Sequence, residues 1–296
     1  MKTIEYWNRE KRSIETEQVY GEGAVRWMYQ TPAGRLLGDW ALSRKPISKA
    51  YGWIQSSSLL SGHKVEPFIE TFKIPMEQYE GAPFRSFNDF FIRKFKPGQR
   101  PFASIPGEMP AFSEARYYGF ESVSKTQQLP VKGVGLSAVE LVGDAEKARP
   151  FIDGPVLLAR LCPVDYHRYH YPDDGTTYDH YPVHGRFHSV NPVALAYKSD
   201  IFITNERRVS LLETKNFGKL AYIEVGAIMV GRIVQSHDEA RPYKRGDEKG
   251  YFLFGGSTVI VLGEKGRWKP DADILEQTRQ NRESYIKLGQ RLAHSI

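Results

Sequence analysis

Residues 249–262 read KGYFLFGGSTVIVL: an aromatic and apolar run, two glycines, a serine–threonine pair and a second apolar run. Both runs have the length and the β-branched or aromatic content of strands, and Gly255-Gly256 between them marks a turn. A tight hairpin ordinarily uses Asn-Gly or Asp-Gly, so a Gly-Gly-Ser-Thr junction asks for another reason. Glycine adopts backbone angles closed to other residues and leaves its carbonyl carbon unhindered. A serine placed after it has a hydroxyl beside that carbonyl. With a histidine as base, such a serine can attack its own upstream peptide bond. On shape alone, a plain glycine hairpin stays open as the alternative.

Working outward, three further segments read as strands: PVLLARL (155–161), YPVHGRFHSV (181–190) and KLAYIEVGAIMVGRIV (219–234). No helices alternate with them, which argues against a doubly wound parallel sheet. Residues 1–100 read instead as mainly helical. GRLLGDWALSRKPISKAYGWIQ (34–55) interleaves apolar groups with Arg35, Arg44, Lys45 and Lys49, and Pro46 divides it into two expected helices. In SFNDFFIRKFKPGQRP (86–101), Phe87, Phe90 and Phe91 fall at helical spacing ahead of a Pro97-Gly98 stop. That aromatic face suits packing on a core, and an interfacial membrane helix is the second reading. DADILEQTRQNRESYIKLGQRLA (271–293) reads as a charged amphipathic helix. The expected fold is therefore α+β: a mainly helical, membrane-associating region (1–100), then a β-rich antiparallel or mixed core (101–296) with a C-terminal helix.

Lysine and arginine total 41 against 35 acidic residues, a net charge of +6 over 296 residues. That balance favours an anionic partner. Cys162 is the single cysteine, so no intramolecular disulfide can form. Met1-Lys2-Thr3-Ile4-Glu5 has no signal-peptide character, and no uncharged apolar run approaches the roughly 20 residues of a membrane span. Glu224 and Arg232 interrupt the best candidate. Any membrane contact is expected at the surface.

The densest polar cluster is LCPVDYHRYHYPDDG (161–175). His167 and His170 are three apart and would share the face of a helical turn. Asp165, Asp173 and Asp174 flank them and would raise their affinity for protons. Histidines of this kind serve as acid or base near neutral pH. His180, His184 and His188 have the even spacing of one strand face, but Pro182 and Gly185 interrupt it, and no metal site is assigned. GVGLSA (133–138) lacks the strand-to-helix context of a dinucleotide loop. The basic N-terminal third contains no recognisable nucleic-acid module.

Six segments together resemble the phosphatidylserine decarboxylase family: FNDFFIRKFKPGQRP (87–101), PVDYHRYHYPDDG (163–175), GRFHSVNPVAL (185–195), NERRV (205–209), EVGAIMVGRI (224–233) and KGYFLFGGSTVIVL (249–262). They stand in the family's order over nearly the whole chain. The resemblance implies self-cleavage between Gly256 and Ser257, with Ser257 converted to a pyruvoyl group that is the cofactor. It implies that His170 activates Ser257 and that His167 protonates the decarboxylated substrate. Residues 1–256 and 257–296 would remain together as a heterodimer. The implied substrate is phosphatidylserine at an anionic membrane surface, met as a peripheral protein, and the products are phosphatidylethanolamine and CO2; the cytoplasmic face is expected from the missing signal peptide. The family's self-cleavage aspartate lies in a PADG-like or PAD-x-R segment. Here AFSEARYYGF (111–120) stands in its place, and alignment on Arg116 puts Glu114 at the aspartate. Two alternatives stay open: a decarboxylase of a soluble amino acid, and a lipid-binding relative that does not process.

Overall fold

The computed structural model describes residues 4–18, 20–37, 53–122, 128–129, 134–135, 137–195, 198, 200–227, 232–254 and 257–296. The chain opens with strands β1 (Glu5–Asn8) and β2 (Ser13–Thr16), then helices α1 (Glu22–Gln30), α2 (Pro32–Leu37), α3 (Ser58–Ser61), α4 (Val65–Phe72) and α5 (Phe87–Phe91). Next come β3 (Glu108–Pro110), β4 (Ala115–Phe120), β5 (Gln128–Leu129) and β6 (Val134–Gly135). Short helices α6 (Ala138–Val142) and α7 (Ala145–Ala148) lead to β7 (Val156–Leu161), β8 (Arg168–His170) and β9 (Gly175–Val183). Then α8 (Pro192–Leu195) and α9 (Ile201–Thr204) precede β10 (Arg207–Thr214), β11 (Gly218–Val225), β12 (Ile233–Gln235), β13 (Glu248–Phe252) and β14 (Ser257–Gly263). The chain closes with β15 (Trp268–Pro270), α10 (Ala272–Arg279), β16 (Glu283–Ile286) and β17 (Arg291–Ser295).

Nine strands form one mixed sheet in the order β2-β1-β16-β4-β7-β14-β11-β10-β9. The β1–β16 pair is parallel and the other neighbours are antiparallel. Every residue of β7 and of β14 is buried, as expected for central strands covered on both faces and written as near-continuous apolar runs. At the edge, β9 (GTTYDHYPV) alternates half-buried and exposed residues, the pattern of a strand with one face in water. A smaller sheet has the order β12-β13-β8.

This arrangement overturns the plain hairpin reading of the opening stretch. β13 belongs to the small sheet and β14 to the large one, and the two do not pair. The chain therefore passes from one layer to the other between Phe254 and Ser257; Gly255 and Gly256 themselves lie outside the described residues. The expected C-terminal helix is shorter than the charged segment that suggested it, ending at Arg279. Asn281 takes the left-handed conformation (φ 60°), and the bonds Asn281 N–H to Thr278 O and Arg282 N–H to Gln277 O close the helix end. Beyond Arg282 the chain is extended and pairs as β16 and β17. The N-terminal region likewise begins with strands before its helices, and β1 joins the main sheet through β16. The two helices expected around Pro46 fall mostly on residues 38–52, outside the described residues.

Ser86 caps α5 by accepting from Asp89 N–H at 3.1 Å. Phe87, Phe90 and Phe91 are buried there with Val65, Phe68 and Phe254 in a second apolar cluster, so this aromatic face packs inside the protein.

Candidate active site

Ser257 is the first residue of β14, opposite Leu161 of β7. Residues opposite one another in a ladder share a face. Val259 faces Ala159 and Glu224, and Val261 faces Tyr222. Ser257, Leu161, Tyr222 and Glu224 therefore line the same face of the large sheet. The small sheet lies across that face: Tyr222 donates its hydroxyl to His170 O at 3.2 Å, and the Tyr169 and Tyr222 rings stand 6.2 Å apart. Layer packing thus sets β8, the strand that carries His170, over the sheet face that carries Ser257. Ser257 Oγ is buried and has no hydrogen-bond partner among the described residues.

A turn presents His167. Asp165 N–H donates to Cys162 O at 2.8 Å, and Cys162 N–H donates to Asp165 Oδ2 at 2.7 Å. His167 Nδ1 lies 2.9 Å from Asp165 O. A carbonyl can only accept, so Nδ1 carries the proton and Nε2 the lone pair. Nε2 is buried and has no partner among the described residues. The Phe91 ring covers the imidazole at 3.7 Å. Burial pulls His167 down to about 3, despite its bond to Asp165.

His170 sits on the strand itself. Its N–H donates to Phe112 O at 2.8 Å and its Nδ1–H to Gly246 O at 2.9 Å, while the Tyr166 hydroxyl lies 3.3 Å from Nε2. Burial depresses its proton affinity too. The helical-turn geometry expected for the pair does not form. Only His170 lies on β8, while His167 precedes the strand in a turn, and each ring finds its own carbonyl. Nor do the flanking carboxylates raise these histidines. Asp173 is bound by Arg245 at 2.9 Å and by Asn216, and Asp174 accepts from Arg245 N–H at 3.0 Å.

Asp165 turns its carboxylate to Arg116 at 2.6 Å. Arg116 also meets Glu17 at 3.0 Å, and Arg160 joins Glu17 (2.7 Å) to Glu283. Burial alone would raise Glu17, but Arg160 and Arg116 hold it at about 2. Arg93, clamped between the Tyr79 and Phe90 rings, donates to Val164 O at 2.8 Å and Asp165 O at 3.2 Å. The loop carrying His167 is thereby held from both sides. None of these buried cations is apparent in the sequence, where arginine reads as a surface residue; neither is Lys249. It is fully buried beneath Ser257's face, 2.8 Å from Glu224 and 3.3 Å from Glu239, with Gln235 Oε1 at 2.8 Å.

Glu114 is not brought to His170. Its carboxylate takes Arg100 Nε at 2.6 Å, the Tyr285 hydroxyl at 2.9 Å and Leu288 N–H at 3.2 Å. The residue of its segment that meets His170 is Phe112, through its carbonyl. Gly256, the other half of the expected cleavage bond, lies outside the described residues. Among the described residues no His, Cys, Asp and Glu group has the makings of a metal site.

The acid response of the fold checks the His167 geometry. An unfolded histidine protonates near 6.5, while His167 resists until about 3, so stability present above pH 6.5 is lost as pH falls toward 3. One such group contributes at most about 1.4 kcal/mol per pH unit. Urea midpoints between pH 7 and 4 should fall less steeply for Ser257→Ala/His167→Asn than for Ser257→Ala alone. Parallel slopes would contradict a buried neutral imidazole.

Comparison with known proteins supplies the class. The family described as phosphatidylserine decarboxylase matches residues 87–294. The chain is 38% identical over 291 residues to the phosphatidylserine decarboxylase proenzyme of Desulfitobacterium hafniense, covering 98% of this chain and 97% of that one. It is 37% identical over 293 residues to the proenzyme of that name from Clostridium perfringens, covering 98% and 99% of the two chains. This chain belongs to the phosphatidylserine decarboxylase family, a family of carboxy-lyases.

Proposed function

We infer that the chain is a proenzyme that cuts itself between Gly256 and Ser257 and then converts phosphatidylserine to phosphatidylethanolamine and CO2. Family membership supports the reaction. The observation that supports the site is a pair of buried atoms without partners among the described residues, Ser257 Oγ and His167 Nε2, which suit a serine meant to react and not merely to pack.

In the cutting step, His170 Nε2 takes the Ser257 hydroxyl proton and Oγ attacks the Gly256 carbonyl carbon. The acyl group moves from nitrogen to oxygen, and the freed amine takes a proton. Elimination then releases the Gly256 carboxylate, and water replaces the nitrogen, which leaves as ammonia. Ser257 becomes a pyruvoyl group at the start of the 257–296 fragment. When present, that group supplies an electron sink for the pair left by departing CO2. His167, with Nδ1 fixed on Asp165 O, takes a solvent proton onto its Nε2 lone pair when substrate enters and gives it to the substrate carbon. Phe91, itself backed by Phe254, covers His167 and keeps water from competing. The 1–256 and 257–296 fragments stay together as a heterodimer.

The net charge of +6 and the exposed Trp53 and Leu59 of the N-terminal region favour an anionic membrane surface, met peripherally at the cytoplasmic face. No helix among the described residues is long and apolar enough to cross a bilayer. Neither a soluble amino-acid substrate nor a non-processing role draws support from the family match.

Intact mass of fresh protein should give two fragments split at Gly256–Ser257. CO2 release from phosphatidylserine vesicles should exceed that from free serine. An uncut chain without turnover would sink the reading. Glu114 is the expected self-cleavage carboxylate, and its bonds separate two roles. A carboxylate orienting His170 directly is worth about 10⁴ in rate, whereas one that holds Arg100 and Tyr285 acts through the wall of the site. Glu114→Gln is expected to slow cutting by less than about tenfold, because the amide oxygen still accepts from Leu288 N–H and Arg100 Nε while its NH2 donates to the Tyr285 hydroxyl. A loss of about 10³-fold would restore the triad.

A further inference from the structure

A groove of about 480 Å³ opens between α4 and the segment after β2, lined by Tyr20, His63, Lys64, Phe68, Phe72 and Phe87 among others. Its floor is aromatic and its rim basic. The Tyr20 ring meets Phe68 at 5.3 Å and Phe72 at 6.1 Å, and Phe68 meets Phe87 at 5.1 Å. We propose that this groove seats one glycerophospholipid, with the phosphodiester on Lys64 and His63 and the upper acyl chains along Tyr20, Phe68 and Phe72. The assignment rests on the phosphatidylserine reading and specifies where that substrate is gripped.

Charge and shape both point to this occupant. A phosphodiester keeps its negative charge at all relevant pH values and suits a lysine beside a histidine at a groove rim. The volume falls within the roughly 300–1,000 Å³ of small-molecule sites. It houses a headgroup, the glycerol and the first chain carbons, and leaves the chain ends in a bilayer. The bilayer contact is at hand: Leu59, 91% exposed, and Leu60, 45% exposed, sit on α3 immediately before His63 and Lys64. A soluble ligand would have no use for these side chains.

The groove also leads to the chemistry. Phe87 on its floor meets Phe254 at 4.8 Å, Phe254 meets Phe91 at 5.0 Å, and Phe91 lies on His167. Two rings, Phe254 and Phe91, stand between the groove floor and His167, and Phe254 is three residues ahead of Ser257. Cutting after Gly256 turns Phe254 into the third residue from a new carboxyl terminus, held at its N–H by Asn88 Oδ1 at 2.6 Å.

The test separates binding from turnover. Full-length Ser257→Ala is titrated calorimetrically with dihexanoyl phosphatidylserine, alone and combined with Lys64→Glu or with Thr71→Trp, which fills the groove from its rim. Each change should weaken binding at least about tenfold, the worth of one charge-assisted contact or of lost space. Glycerophosphoserine should bind more weakly than the lipid, and inorganic phosphate should not compete. Unchanged affinity in both combined variants, with urea midpoints matching the parent, would overturn the proposal. So would competition by phosphate at the lipid's own strength. If both changes weaken dihexanoyl phosphatidylglycerol equally while the unmodified chain releases no CO2 from phosphatidylserine, the groove stands and the decarboxylase reading falls.

Discussion

Ser257→Ala is expected to leave a single uncut chain with no detectable decarboxylation, by intact mass and CO2 release. The neighbouring Thr258 cannot substitute. Successive strand residues point to opposite faces, and Thr258 pairs with Arg160 and Val225, on the side away from the histidine layer. The two histidines should divide the phenotype. His170→Ala removes the base for cutting and should slow fragment formation by about 10²–10⁴, with decarboxylation falling in proportion to the fraction cut. His167→Ala should cut and yet lose a comparable factor in turnover of the cut enzyme. Alanine at 257 with the chain still split at the same bond would mean another nucleophile. Equal slowing of cutting by both histidine variants would mean that the roles are not divided.

Lys249→Met is expected to destabilise the protein by about 3–5 kcal/mol, read from urea unfolding of the uncut Ser257→Ala form. The ammonium is fully buried and neutralises Glu224, which is fully buried too, while Glu239 is shared with Arg208 and Ser210. Removing the cation strands Glu224 in an apolar layer beside Tyr222. Burial already favours that carboxyl's protonated form. Without Lys249 it must take up a proton to stay inside, so the loss should be larger at pH 8 than at pH 5. Removing both charges, as Lys249→Met/Glu224→Leu, should recover much of the deficit, because a buried pair replaced by packed apolar groups is close to neutral. A double variant no better than the single one would show that Lys249 matters for something other than Glu224.

The legible parts of this fold are those whose local pattern agrees with their final environment. β7, β11 and β14 are largely apolar runs and end as buried strands. Phe87, Phe90 and Phe91 have helical spacing and end on a helix with a serine cap. Ser257 stands out because glycines next to a serine solve a chemical problem better than a folding one. The hidden parts depend on distant partners. EYWN (5–8) and ESYI (283–286) are too short to declare themselves as strands and do so by pairing with each other in parallel and with β2 and β4 on their outer sides. The spacing of His167 and His170 fits a helical turn equally well, and only the carbonyls of Asp165 and Gly246 show which nitrogen each ring keeps free. Arg93, Arg116 and Lys249 read as surface charges, because burial of a cation depends on acceptors supplied from far along the chain.

The order of strands in the large sheet has a consequence for the life of the molecule. β14 lies between β7 and β11, and β16 lies between β1 and β4. After a cut at Ser257 the first member of each set belongs to the small fragment and its neighbours to the large one, so the pieces are interleaved like the fingers of two hands. Neither can depart as a folded body. Denaturing the cut protein therefore liberates two molecules, and recovering it requires them to meet, at a rate that scales with concentration. The uncut chain refolds on its own at any dilution. Assembly is thus first-order for the precursor, whereas recovery of a cut protein after heat would slow with every dilution.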